Sequence, residues 1–374
     1  MNLHFFGKAK PAIPFNVCLT IFGFLPEDSI DLSSVGPLWA AFDEDKKRPL
    51  PLFSTLCMIP YFPISPEDLV ISQLSGGMTN GSYQLTSQRR KSESWVLRIA
   101  GKGTSTFINR THEKANAQEA SRLGLNVRVQ WFDHKGSQLT PFLHASQPLS
   151  SPLINKKKYL KPIAQLFKTL HRHHDAFGNR VTITDRIATL WCVVAHKNPS
   201  LFPPETPEIT RHLQTLMDLL SHFQVRHTAC HNDPTLTNFL VVDDEKDPTL
   251  FLIDWEYSSK GDLLWDLVYF CLLAHLDEAA TDAFLAAYFD LVTPTINAWF
   301  IAYQPLVTWW VCLWCYAQLA NDSPSSDVDT YHRWAEDYLL RTTSLLQSPS
   351  YQQALSLILH EKEDHHEGLV ARSF

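Results

Sequence analysis

A disulfide framework, a surplus of positive charge, low-complexity tracts and a Walker-type phosphate loop are all missing from this chain. Its 374 residues hold seven cysteines, an odd count at irregular spacing, which excludes a disulfide scaffold and fits a reducing compartment. Charged residues make up 19% and the formal net charge is −7, so there is no electrostatic footprint for nucleic acid. The longest basic run, Lys156-Lys157-Lys158, is expected to open a helix as a solvated face. With 45% apolar residues, general disorder is excluded. The first dozen residues hold no sustained apolar run, so no signal peptide is expected. Leu291 to Asn321 contains no charged residue and is long enough to span a bilayer. Asn297, Gln304, Pro305, Thr308 and Gln318 dilute its apolarity, and a buried helix is expected there instead. Cys312-x-x-Cys315 lies inside the same run among tryptophans, where core packing is expected rather than redox or zinc chemistry.

The positive signal lies between His231 and Asp254. The segment reads His-Asn-Asp-Pro-Thr-Leu-Thr-Asn-Phe-Leu-Val-Val, then a polar break from Asp243 to Pro248, then Leu-Phe-Leu-Ile-Asp-Trp-Glu-Tyr. Two apolar β-rich runs around a turn-forming break predict a hairpin. Such a hairpin brings Asp233, Asn238 and Asp254 to one end of a sheet. An Asp that accepts a hydroxyl proton, with an Asn and a second Asp able to hold Mg²⁺, is what phosphoryl transfer from ATP requires. Upstream, Ser75-Gly76-Gly77-Met78-Thr79-Asn80-Gly81-Ser82-Tyr83 sits between two β-like runs. Its glycines allow backbone amides to approach phosphate closely, and it lacks the Gly-Lys-Ser/Thr ending of a P-loop NTPase. Trp95 to Gly101 alternates like a strand around Arg98, whose planar fork suits phosphate. Asn109 to Leu123 reads as a helix carrying Glu113.

The pattern His-x-Asp-x-x-x-x-Asn, followed sixteen residues later by Ile-Asp-Trp-Glu-Tyr, resembles the catalytic and metal loops of the choline kinase and aminoglycoside phosphotransferase group. The Gly-Gly-Met-Thr-Asn wording is similar to that of bacterial LicA-type choline kinases. The resemblance implies an α+β, bilobal, protein-kinase-like fold with ATP and Mg²⁺ as cofactors. It implies Asp233 as base and Asn238 with Asp254 as metal ligands. Gly76, Gly77, Thr79, Asn80 and Arg98 would hold phosphates, with Glu113 (or else Glu119) steadying Arg98. Pro141 and Phe142 would lie at the adenine hinge. Asp266 would steady the catalytic loop. Choline carries a quaternary ammonium, which proteins hold with aromatic faces. The large lobe offers Tyr257, Trp265, Tyr269, Trp309, Trp310 and Trp314 as candidates, and the resemblance points to Tyr257 and to Trp310 and Trp314, one helical turn apart. Where eukaryotic choline kinases have a pocket Glu, this chain has Leu273, so ethanolamine or thiamine stays open beside choline. The cluster His171-Arg172-His173-His174 is read as cations at a helix C-terminus rather than as a metal site.

Residues 1–55 fall outside this pattern. Apolar residues at 15, 19, 22 and 25 form one helical stripe, and Leu32, Val35 and Trp39 begin another. This resembles an F-box, an all-helical module that binds the Skp1 adaptor of cullin ubiquitin ligases. Pro14, Leu19, Phe22, Leu25 and Trp39 would then be the Skp1 contacts, although Gly36-Pro37 departs from the pattern. The expected organisation is an F-box-like module over 1–55, a kinase small lobe over 60–145 and a helical large lobe over 146–374. An F-box joined to a bacterial-type kinase resembles an effector that a type IV system delivers into a host cytosol. The glutamate-rich tail at Glu361 to Glu367 is equally readable as a frayed helix end. The alternative function is a ubiquitin-ligase adaptor whose kinase fold serves as a binding platform. The presence of Asp233, Asn238, Asp254 and Arg98 favours catalysis.

Overall fold

The structure, a computed structural model, describes residues 68–74, 80–101, 108–155, 157–224, 226–242, 248–321 and 328–364, with short pieces at 2–4, within 52–62 and at 370–371. The F-box-like stripe, including Pro14, Leu19, Phe22, Leu25 and Trp39, lies outside the described residues, as do Gly76, Gly77 and Thr79. The chain divides into two compact units, one of residues 1–101 and 129–142, the other of residues 102–128 and 143–374.

The first unit is built on an antiparallel sheet of β1 (Asn2–His4), β2 (Leu69–Gln73), β3 (Gly81–Ser87), β4 (Ser94–Ile99), β5 (Trp131–Phe132) and β6 (Gln138–Pro141). Its strand order is β1-β2-β3-β4-β6-β5. Alternation drives the sheet: Ile71, Leu85, Leu97 and Leu139 fall on one face and form the core with Leu69 and Trp95. Each such buried side chain contributes about 1.5–3 kcal/mol.

The second unit is mostly helical. Helix α1 (Arg110–Arg122) starts where Asn109 caps it, the Asn109 Oδ1 accepting the N–H groups of Thr111 and His112 at 3.1 Å each. A small sheet of β7 (Ser146–Pro148), β8 (Phe239–Val242) and β9 (Thr249–Leu252) contains the expected hairpin, with Phe239 opposite Leu252 and Val242 opposite Thr249. Helix α2 (Leu160–Arg172) buries Ile163, Leu166, Phe167 and Leu170 along one stripe. The basic run does not open it. Lys157 sits in left-handed backbone at φ 56 and the helix begins three residues later, at Leu160.

Helices α3 (Leu263–Leu273), α4 (Glu278–Phe289), α5 (Pro294–Ala320) and α6 (Val328–Gln347) complete the core around the hairpin. The absence of charge along α5 follows from its burial: Trp299, Tyr303, Trp309 and Cys312 are all 1% exposed or less. Pro305 removes one helix donor in its middle. Cys312 and Cys315 are both free and buried. Among the described residues no helix is long and apolar enough to cross a membrane.

Candidate active site

The loop from His231 to Asn238 owes its shape to a carboxylate far along the chain. Asp266 on α3, fully buried, accepts the backbone N–H of His231 at 2.7 Å and of Asn232 at 2.6 Å. Asn232 takes left-handed backbone at φ 72, which Asn tolerates better than most residues. Its side-chain amide donates to the carbonyl of Tyr257 at 3.0 Å. His231 is buried and donates through Nε2 to the carbonyl of Ile253 at 3.0 Å, so its Nδ1 is left to accept the Asp233 N–H at 3.3 Å. Burial holds His231 below the usual imidazole range, consistent with a neutral ring.

Asp233 and Asn238 come together as expected. A 3₁₀ turn at Leu236–Asn238 brings the Asn238 amide to the Asp233 carbonyl at 2.9 Å and to its Oδ2 at 3.3 Å. The Ile253 N–H donates to the Asn238 carbonyl at 2.9 Å, which registers Asp254 beside this turn. Asp254 has φ 67, again left-handed. Burial pushes the Asp233 carboxyl up to about 8, opposed by hydrogen bonds from Tyr269 and Asn238 and reinforced by the charges of Asp254 and Glu256.

A second acidic group was not singled out from the sequence. One oxygen each of Glu113, Asp254 and Glu256 lies within 4.8 Å of the others. Arg110 bridges two of them, donating to Glu113 Oε2 at 2.6 Å and Glu256 Oε2 at 3.1 Å, all three side chains being under one-tenth exposed. Asn116, further along the same helix, donates to the Ser258 carbonyl at 3.0 Å and so ties α1 to the segment after Asp254. The signals were the two-residue step from Asp254 to Glu256 and the three-residue step from Arg110 to Glu113.

The aromatic residues form a connected wall. Tyr257 meets Trp310 edge-on at 5.6 Å, and Tyr269 meets Trp310 at 6.0 Å. Trp314 donates its indole N–H to the Tyr257 hydroxyl at 3.0 Å, and Trp265 donates to the Asn232 carbonyl at 3.2 Å. Tyr269 donates to Asp233 Oδ1 at 2.8 Å, joining the aromatic wall to the carboxylate. It stands three residues after Asp266, on the same helix face; the sequence offered it as one aromatic candidate among several, without the link to Asp233. Burial raises both Tyr257 and Tyr269 well above the usual phenol range, so both remain donors.

Arg98 belongs to the first unit, 6% exposed, and its guanidinium donates to the Gly136 carbonyl at 3.3 Å. Asn80, also buried, accepts the Gly101 N–H at 3.1 Å through Oδ1, just past the Gly81–Ile99 end of the ladder. Phe142 donates to the Ser94 carbonyl at 2.9 Å, one step past the Pro141–Trp95 pair. The first unit ends at Phe142, inside the stretch expected to be the hinge. Arg98 belongs to the first unit and Glu113 to the second. The fallback, Glu119, is occupied at the surface by Arg122 at 2.6 Å, which holds its carboxyl low.

His171 departs from its reading as a solvated helix-end cation. It is 3% exposed and donates through Nε2 to Asp266 Oδ2 at 3.2 Å, while Nδ1 accepts from the Tyr288 hydroxyl at 2.7 Å. It therefore orients the same carboxylate that holds the loop.

A fold with these loops is that of a protein-kinase-like phosphotransferase, and a crystal structure described as a choline/ethanolamine kinase family protein from Mesorhizobium loti superposes with a TM-score of 0.67. That structure is 25% identical, and the alignment covers 82% of this chain and 97% of the other. A family profile for choline/ethanolamine kinase matches residues 71–292, more than half of the 374. The chain belongs to the choline/ethanolamine kinase family. Protein LicA of Haemophilus influenzae is 31% identical over 219 residues, which span 57% of this chain and 61% of that protein. A probable choline kinase 3 of Arabidopsis thaliana is 24% identical, over 68% of this chain and 70% of the plant protein.

Proposed function

We propose that the chain transfers the γ-phosphoryl group of ATP to the hydroxyl of a small amino alcohol, choline foremost, with Mg²⁺ as cofactor. The observation that carries this reading is the direct link between Asp233 and the aromatic wall through Tyr269. One group accepts a hydroxyl proton, the other suits a quaternary ammonium, and they adjoin.

In this reading Asp233 takes the substrate hydroxyl proton as the substrate oxygen bonds to the γ-phosphorus. The bond from the γ-phosphorus to the bridging oxygen breaks and ADP leaves with that electron pair. Asn238 and Asp254, with Glu256 added, would hold the magnesium ion. Their donor set is oxygen only, which fits a hard cation. A magnesium ion held there would neutralise phosphate charge. Arg98, Asn80, Gly76, Gly77 and Thr79 are assigned to the phosphates, Glu113 to the same end of the site, and Pro141 with Phe142 to adenine. Tyr257, Trp310 and Trp314 are assigned to the cationic head. The test is ADP release by the purified protein with Mg-ATP and choline, ethanolamine or thiamine. Turnover with choline is expected. Release no faster than ATP hydrolysis on every alcohol would remove the reading.

The N-terminal pattern supports a second role, carried by residues that precede the matched region starting at 71. Pro14, Leu19, Phe22, Leu25 and Trp39 are proposed to recruit Skp1, and through it cullin, after type IV delivery into a host cell. Helix-stripe contacts concentrate energy in a few anchors, each worth about 2 kcal/mol or more. A Pro14→Ala, Leu19→Ala double variant is expected to lose Skp1 in a pull-down while keeping phosphotransfer. No Skp1 bound by the unaltered protein removes this role. Skp1 binding without any phosphotransfer would favour the adaptor alternative.

A further inference from the structure

The two oxygens of Asp233 are engaged differently. Oδ1 accepts the Tyr269 hydroxyl at 2.8 Å, whereas Oδ2 meets the Asn238 amide only at a long 3.3 Å. A carboxylate turns readily about its terminal torsion and can present either oxygen. One well-aligned bond to a buried phenol is enough to end that ambiguity. The phenol is itself held: its ring packs against Trp310 at 6.0 Å and Trp265 at 6.5 Å, and its helix is pinned to the loop by Asp266. We propose that Tyr269 is a positioning residue of the phosphotransfer site, whose hydroxyl fixes Asp233 by Oδ1 so that Oδ2 receives the substrate proton, while its ring joins that carboxylate to Trp310 and Trp265. The inference rests on the phosphotransfer reading above and adds to it which oxygen acts and what aims it.

The hydroxyl and the ring carry separable effects. Tyr269→Phe keeps the ring and removes the aim. Hydrogen bonds to charged groups are worth enough that kcat should fall roughly tenfold or more, with the KM for choline within about twofold of wild type. Choline binding without nucleotide, measured by calorimetry, should likewise stay within about twofold. Tyr269→Leu removes the aromatic face as well and should raise KM in addition. Because Tyr269 acts through Asp233, a double-mutant cycle decides the matter even if either single variant is destabilised. Adding Tyr269→Phe to Asp233→Asn should produce little further loss of kcat. Wild-type kinetics for Tyr269→Phe overturn the proposal. So does a raised KM with unchanged kcat, or a full additional loss in the double variant. Absence of turnover by the unaltered protein would instead remove the phosphotransfer reading on which it rests.

Discussion

The Asp266 carboxylate holds the backbone N–H of Asn232 at 2.6 Å from thirty-four residues away, and the loop from His231 to Asn238 takes its shape from that bond. Asp266→Ala would leave the N–H groups of His231 and Asn232, and the His171 ring, without their buried acceptor. Removing one member of such a buried charged network costs about 3–5 kcal/mol. Urea unfolding is expected to show a loss of that size, with turnover falling in the fraction that stays folded. A loss below about 1 kcal/mol would mean that the loop is shaped by something else.

Asp233→Asn should leave folding and nucleotide binding intact while lowering turnover about a hundredfold or more, as loss of a general base implies. It should also change how stability responds to pH. The part-buried Asp233 carboxyl, raised to about 8, keeps a proton that the unfolded chain releases near pH 4. The folded state therefore binds more protons between those values, and stability from this group falls as pH rises through the window. The Asn side chain does not ionise. Without magnesium, the variant should gain on the wild type by up to roughly a few kcal/mol between pH 5 and 8. Parallel thermal melts at both pH values that keep a constant gap would contradict this.

Tyr257→Ala and Trp310→Ala should each raise the KM for choline, the loss of cation–π and packing energy being about 0.5–2 kcal/mol. A competition assay with an uncharged alcohol isolates the charge. If the uncharged analogue is preferred by the unaltered protein, the aromatic wall is core packing and not a cation site.

Arg110→Gln removes the cation shared by two buried carboxylates that lie close to Asp254. The magnesium-free variant should be destabilised by about 3 kcal/mol. Magnesium supplies replacement charge, so the rise in Tm on adding it should be larger in the variant than in wild type. Equal rises would show that the ion and the arginine do not answer the same carboxylates.

Local patterns made much of this legible. The hairpin was readable because β-rich runs flank turn residues, and the Phe239–Leu252 pairing places Asn238 and Asp254 side by side. The start of α1 was readable because Asn109 is a capping residue in front of a helical pattern. What stayed hidden depends on partners distant in sequence. The Arg110–Glu256 bond joins residues 146 apart, and no local periodicity announces it. His171 looked like one of several helix-end cations until the fold placed Asp266 and Tyr288 on either side of its ring. Tyr269 read as one more aromatic among many, since only the folded loop brings Asp233 to its hydroxyl. The basic run was read as the solvated start of a helix, but cations do not favour a helix N-terminus, and Lys157 adopts a left-handed backbone that no helix continues.

The left-handed backbone of Asp254 sets two demands on one position against each other. A side chain there is held in a conformation that glycine adopts without penalty, and its charge is crowded by Glu113 and Glu256. Glycine would relieve both tensions and would also delete the carboxylate proposed above to hold magnesium. A population of variants selected for heat resistance alone, with no demand for turnover, should discard this aspartate early. Restoring the demand for turnover should bring it back, which makes position 254 a gauge of what the fold gives up for its reaction.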